Sequence, residues 1–335
     1  MNFRALKMAA LLGIFLVPGT QAQTAAPANS LPSPGFHHLH LNSTDPDAAI
    51  DFYTRQFPST TRATFAGLPA LKAGKVYVLF NKVSTPPLTS PQTAIWHFGW
   101  HVTDVRKNLA LYKEHKEVHL LPLYTTDEGG FVYVSSDTWP GTGGVLGLTK
   151  SQIAEAKATG AKPLGGAGFA YLQGPDGAII EYQGNMPVER FNHVHMFQED
   201  PICAELWYEK HLNARPSQAA AAQPRRTEAD CKVPRSEPSW PGLEKSGTIR
   251  RPGSGVIFDD VELNWYERQG DALLVPTSGH LADHIALSVA NLDAWVAKLR
   301  GEGVKFLKQP YPLGETRAVM IEGPSREALE LVEVK

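Results

Sequence analysis

Four stretches of this chain begin alike, and such self-similarity constrains the fold to repeated units before any other feature is considered. His38-Leu39-His40-Leu41 leads to Asp45, and His97-Phe98-Gly99-Trp100 leads to Asp104. His193-Val194-His195-Met196 leads to Asp200, and His284-Ile285-Ala286-Leu287 leads to Asn291. In each case the residue seven positions after the first histidine is Asp or Asn. Its side-chain oxygen can cap a helix by accepting an orphan backbone N–H. Helical sequence follows, as in Ala48 to Tyr53 and Asn291 to Leu299, with apolar residues at helical spacing. Val76 to Phe80, Phe169 to Leu172, Val261 to Trp265 and Ala318 to Ile321 then read as strands. The unit is strand, helix, then several strands, starting near 36, 95, 191 and 282. The expected fold class is α+β.

The units differ in how they end. The second closes with Gly174-Pro175-Asp176-Gly177-Ala178-Ile179-Ile180-Glu181 and the fourth with Gly323-Pro324-Ser325-Arg326-Glu327-Ala328-Leu329-Glu330. The Gly-Pro turn stands at the same distance from the glutamate in both, as a hairpin leading into a strand does. Units one and three lack this ending. The expectation is a duplicated pair: one paired-module domain over 36–186 and another over 191–335, joined near Asn185 to Glu189. Two insertions interrupt it, Asp137 to Gly168 with a helical stretch and Pro216 to Gly255 (216–255), mostly polar loop.

The N-terminus reads as a targeting segment. Arg4 and Lys7 precede an apolar run from Met8 to Val17, and Thr20-Gln21-Ala22 forms a cleavage site, so 1–22 is a signal peptide. Residues 23–35 are an Ala/Pro/Ser tether. The apolar run is too short to span a bilayer, and no later run is long enough. The expected location is periplasmic or secreted. An oxidising compartment favours a bridge between Cys203 and Cys231, the two cysteines of the chain, over two unlinked apolar side chains. A formal net charge of −2 without a dense basic cluster excludes nucleic acid as the expected partner and leaves a small-molecule substrate.

The histidines point to metal chemistry. Residues two apart on a strand share a face, so His38 aligns with His40 and His193 with His195. If His38 faces a cavity, His97 faces it from the paired unit and Glu181 completes the set from a final strand. Two imidazoles and a carboxylate on one side of an ion form the facial triad typical of non-haem Fe(II), which Mn(II), Zn(II) and Ni(II) also accept. A single strand histidine is more often ordinary core or surface. Four histidines in one register and two glutamates in another shift that balance.

These motifs, His-x6-Asp/Asn and Gly-Pro-Asp-Gly-x3-Glu, resemble those of the vicinal oxygen chelate superfamily, which includes glyoxalase I, extradiol dioxygenases, and fosfomycin-resistance and bleomycin-binding proteins. The resemblance covers nearly the whole chain after the tether, apart from the insertions. It implies four βαβββ modules paired into two cup-shaped domains, each cup closing around a divalent metal. His38, His97 and Glu181 would occupy ligand positions in the first cup, and His193, His284 and Glu330 in the second.

Extradiol enzymes keep a tyrosine ten residues before the glutamate, and Tyr171 stands at that distance from Glu181. It can hydrogen-bond a substrate oxygen or simply pack in the cup wall. No histidine lies a few residues upstream, so His40 or His101 would serve as acid and base. Glyoxalase I uses a glutamate on the last strand of its first module, whereas Val76 to Phe80 contains no carboxylate. The implied reading is an Fe(II) dioxygenase acting on a small vicinal diol or hydroxy-carbonyl compound. The alternatives are a Mn(II) or Zn(II) lyase or isomerase, and a non-catalytic binding protein. The second cup is the weaker copy, because Met320 replaces the tyrosine and Ser325-Arg326 the Asp-Gly turn.

Overall fold

The computed structural model describes residues 31–334 except 123, 126–130, 138–153, 156–157, 163–164, 223, 235–252 and 269–270. The expected signal peptide, most of the expected tether and large parts of both expected insertions lie outside the described residues. The first module comprises β1 (Gly35–Ser43), α1 (Pro46–Gln56), β2 (Thr60–Phe65), β3 (Leu68–Ala73) and β4 (Val76–Lys82). The second comprises β5 (Ile95–His101), α2 (Val105–Glu114), β6 (His119–Leu121), a small ribbon of β7 (Tyr124–Thr125) and β8 (Phe131–Val132), β9 (Phe169–Gln173) and β10 (Ile179–Gln183). The third runs through β11 (Arg190–Gln198), α3 (Pro201–Leu212), β12 (Arg215–Pro216), the short α4 (Gln218–Ala221), β13 (Ser254–Phe258) and β14 (Val261–Glu267). The fourth is β15 (Ala282–Val289), α5 (Leu292–Gly301), β16 (Phe306–Leu313), β17 (Thr316–Glu322) and β18 (Ala328–Glu333).

The four repeated Asp/Asn residues are the N-caps of α1, α2, α3 and α5. Asp45, Asp104 and Asn291 accept the backbone N–H of Ala48, Lys107 and Ala294. Asp200 holds the cap position without a side-chain capping bond.

Two eight-stranded mixed sheets carry the modules, ordered β16-β17-β18-β15-β1-β4-β3-β2 and β12-β13-β14-β11-β5-β10-β9-β6. The first sheet therefore joins module four to module one, and the second joins module two to module three. This corrects the expected pairing of consecutive modules: neither 36–186 nor 191–335 forms a cup of its own. The seams are antiparallel, with β1 on β15 (His40 opposite His284) and β5 on β11 (His97 opposite His195).

Consecutive modules meet through helices and turns instead. Phe57 at the end of α1 stacks on Trp100 of β5 with ring centroids 4.2 Å apart. Asp176, at φ 56° in the Gly-Pro turn of module two, accepts from Ser43 Oγ at 2.6 Å and Thr44 Oγ1 at 2.7 Å in module one. The matching contact between modules three and four is Glu327, buried and accepting from Tyr208 at 2.8 Å and Gln198 at 3.0 Å. The Gly-Pro endings thus mark modules that pack consecutively, not modules that share a sheet.

The chain closes a Cys203–Cys231 disulfide, which ties the second insertion to α3. Its sequence separation is 28 residues. Closing a loop of that length stabilises a fold by about 3 kcal/mol through the unfolded chain. The Cys203→Ser/Cys231→Ser double variant should lose about that much unfolding free energy in urea titration. An unchanged midpoint would assign the bridge no stabilising role.

Candidate metal centre

Each antiparallel seam places histidines face to face. In the first cup β1 presents His38 and His40 on one side, and β15 brings His284 opposite His40. The parallel neighbour β18 sets Glu330 beside Ala286, two residues past His284. Three of these side chains are fixed from behind. His284 Nδ1 lies 2.7 Å from Asp283 Oδ1, His38 Nδ1 lies 2.8 Å from His37 Nδ1, and the Tyr311 hydroxyl donates to Glu330 Oε1. The atoms left over are His38 Nε2, His284 Nε2 and Glu330 Oε2, all buried without a hydrogen-bond partner. They face one another, with the two nitrogens 3.3 and 3.7 Å from the oxygen.

The second cup repeats the arrangement. His195 lies opposite His97, His193 lies opposite Gly99, and Glu181 stands beside Gly99 on the next strand. Three imidazole nitrogens surround one oxygen: His97 Nε2 at 2.9 Å, His193 Nε2 at 3.7 Å and His195 Nδ1 at 3.7 Å from Glu181 Oε2. His193 Nε2 and His195 Nδ1 have no hydrogen-bond partner. Gly99 makes the room, since a Cβ there would fall 2.6 Å from both His193 Nε2 and the Glu181 carbonyl oxygen. A cavity of about 230 Å³ opens on this group, walled by Tyr171, Glu181, His193, His195, Glu262 and Asn264 among others.

Electrostatics separate the two cups. Burial pushes His97 and His195 down to about 3, the latter helped by neighbouring His97, so both are neutral imidazoles. Burial raises the Glu181 carboxyl, opposed by His195 and Tyr171. In the first cup burial works against a charged His284, yet Asp283 and Glu330 hold it up at about 9. Burial likewise works to raise Glu330, but His284 and Tyr311 bring it below the usual carboxylate range. The position before the histidine decides this: Asp283 before His284, but Trp96 before His97, its ring edge-on at 4.2 Å.

Buried nitrogens and oxygens without partners are uncommon in native proteins, and here they converge. Imidazoles with a carboxylate suit first-row divalent ions, and in the first cup an ion would take the place of the proton that Asp283 and Glu330 hold on His284. The residues fit a metal, which His38, His284 and Glu330 would hold in one cup and His97, His193 and Glu181 in the other. All six expected ligands are thus brought together, but in a different combination. His38 belongs with His284 and Glu330 rather than with His97 and Glu181, and His193 changes places with it. The cause is the sheet seam, which joins module one to four and two to three.

The other expected residues are dispersed. Tyr171 pairs directly across from Glu181 and lines its cavity. His40 lies in the other cup, grouped with His38 and His284. His101 sits at the end of β5 beside Gln183, Arg190 and Glu262, outside both donor groups. Met320 does stand opposite Glu330 where Tyr171 faces Glu181, but Tyr311, one strand further out, supplies the phenol. The sequence reading missed His195, Asp283, Tyr311 and Glu262. His195 was signalled by the His-x-His shared with module one, and Glu262 by the alternation in Val261 to Glu267.

Residues 190–331 match the family model described as Glyoxalase/Bleomycin resistance protein/Dioxygenase superfamily. The chain carries a domain of this superfamily. Its fold is similar to glyoxalase I from Zea mays, at 16% identity and a TM-score of 0.54 over 90% of this chain and 92% of that one. A point mutant of the same maize protein matches at 17% identity and a TM-score of 0.53, with the same coverage. A fosfomycin resistance protein, FosX, from Listeria monocytogenes aligns over 45% of this chain and 95% of its own, at 14% identity and a TM-score of 0.30. No functionally curated protein sequence is significantly similar to the chain. Among the described residues, no helix is long and apolar enough to cross a membrane.

Gly99→Ala tests the second cup directly. The added methyl should displace His193 and remove metal from that cup alone, leaving about one equivalent per chain by elemental analysis where the parent should hold two. An unchanged metal content would show that His193 does not need the space Gly99 leaves.

Proposed function

We propose that the protein is an exported, metal-dependent enzyme whose working site is the second cup, where it moves a proton on a small substrate bound through two neighbouring oxygens. The observation that carries this reading is Glu262. This carboxylate lines the cavity that His193, His195 and Glu181 wall, and it comes from β14, the last strand of the module that completes the cup. The carboxylate missing from Val76 to Phe80 is therefore missing from the wrong strand, since that strand belongs to the other cup.

When bound, a divalent ion supplies Lewis-acid polarisation of the oxygens it contacts. The chain's own residues do the rest. Asn264 Nδ2 donates to Glu262 Oε2 at 3.0 Å, which orients the carboxylate and leaves Oε1 to take a proton from the carbon beside a carbonyl. The proton then returns to the neighbouring carbon or oxygen from the same atom. Tyr171 faces Glu181 across the strand pair and favours its ionised form. Its position also supports a second reading, an Fe(II) dioxygenase in which the phenol contacts a substrate oxygen. Export favours Zn(II) or Mn(II) over ferrous iron, and the Cys203–Cys231 bridge supports an oxidising compartment.

Glu262→Gln should lower turnover by about 10²-fold or more with metal content unchanged. The assay is deuterium exchange from D₂O into a panel of 2-hydroxy-carbonyl compounds, read by NMR. Oxygen uptake with catechols by the metal-loaded protein would replace this reading with the dioxygenase.

A further inference from the structure

The second cup contains one more converging histidine than a two-histidine, one-carboxylate centre uses. In the second cup His97, Glu181, His193 and His195 each offer one ligand atom, and the four atoms lie within 4.8 Å of one another. Two ligands about 2.1 Å from a common ion are at most about 4.2 Å apart, so closure needs only small side-chain movements. His195 Nδ1 is as close to Glu181 Oε2 as His193 Nε2 is, 3.7 Å in both cases. It is buried without a hydrogen-bond partner. The ring is held in place by His97 and His193, each with its centroid 4.5 Å away, and by Tyr266 edge-on at 5.5 Å. The first cup differs: His40 lies within the same limit of His38 and His284, its ring 4.4 Å from that of His284, but Glu330 is not part of that group.

We infer that His195 is a fourth protein ligand in the second cup, so that this centre holds its metal through three histidines and one glutamate. This inference rests on the metal-centre reading and narrows it. On a six-coordinate ion, four protein ligands leave two positions. Two are enough for the neighbouring oxygens of one chelating substrate, with no third for dioxygen. The substrate class is therefore a bidentate oxygen ligand undergoing non-redox chemistry.

The full chain after its signal segment, loaded with Co(II), provides the test, because the visible absorption of Co(II) reports its ligand set without any substrate. The His195→Gln variant should weaken Co(II) at one of two sites by at least tenfold in chelator competition. That is at least the effect seen for residues that merely support ligands. It should also alter the Co(II) absorption of that site. The circular dichroism of the metal-free variants checks that they fold, and His195→Asn provides a second probe of the same ligand. If the parent binds Co(II) and both variants bind it with unchanged affinity and spectrum, the four-ligand assignment is overturned while the metal centre stands. If the parent binds no metal at either cup, the functional reading itself fails.

Discussion

The antiparallel pairing of β1 with β15 and of β5 with β11 is the contact on which the rest of the structure depends. Each seam is built of backbone hydrogen bonds, and its register sets one histidine directly opposite another, His40 against His284 and His97 against His195. A slip of one residue would turn every side chain on a strand to the other face and dissolve both donor groups at once. The small residues at the seam, Gly99 opposite His193 and Ala286 opposite His38, let those imidazoles lie across the partner strand. The parallel neighbours β10 and β18 then bring Glu181 and Glu330 alongside. The metal groups are therefore consequences of sheet assembly, not of any local motif.

Two copies of one arrangement have diverged in what surrounds the donors. In the first cup Asp283, His37 and Tyr311 each fix a donor, and such outer contacts set ring orientation and tautomer. This favours firm metal retention. The second cup lacks the carboxylate behind its β5 histidine but opens on a polar cavity with Glu262 and Asn264 in its wall. A site that must admit a substrate needs that space. The cup built on Glu181 is the better candidate for turnover, and the cup built on Glu330 for a firmly held ion.

Much of this was legible in the sequence, and what was not has a physical reason. The repeat located all four strand–helix starts, because a cap residue and a strand histidine are local signals. The six residues expected as ligands stood out individually for the same reason. Their grouping was misread because a repeat defines a unit without saying which unit's edge strand it will pair with. The Gly-Pro turns at Asp176 and Ser325 marked real contacts, but contacts between sheets. That one error concealed Glu262, since the strand searched for a carboxylate, Val76 to Phe80, closes the other cup. Tyr311 escaped because β16 reaches Glu330 from beyond its nearest neighbour, a relation without sequence spacing.

The central claim is that modules two and three share one metal centre and modules one and four the other. Anomalous diffraction from Co(II)- or Zn(II)-loaded crystals tests it most directly. The account predicts one peak bonded by His97, His193 and Glu181 and another bonded by His38, His284 and Glu330. A peak joining His38 to Glu181, or no peak in either cup, would contradict it.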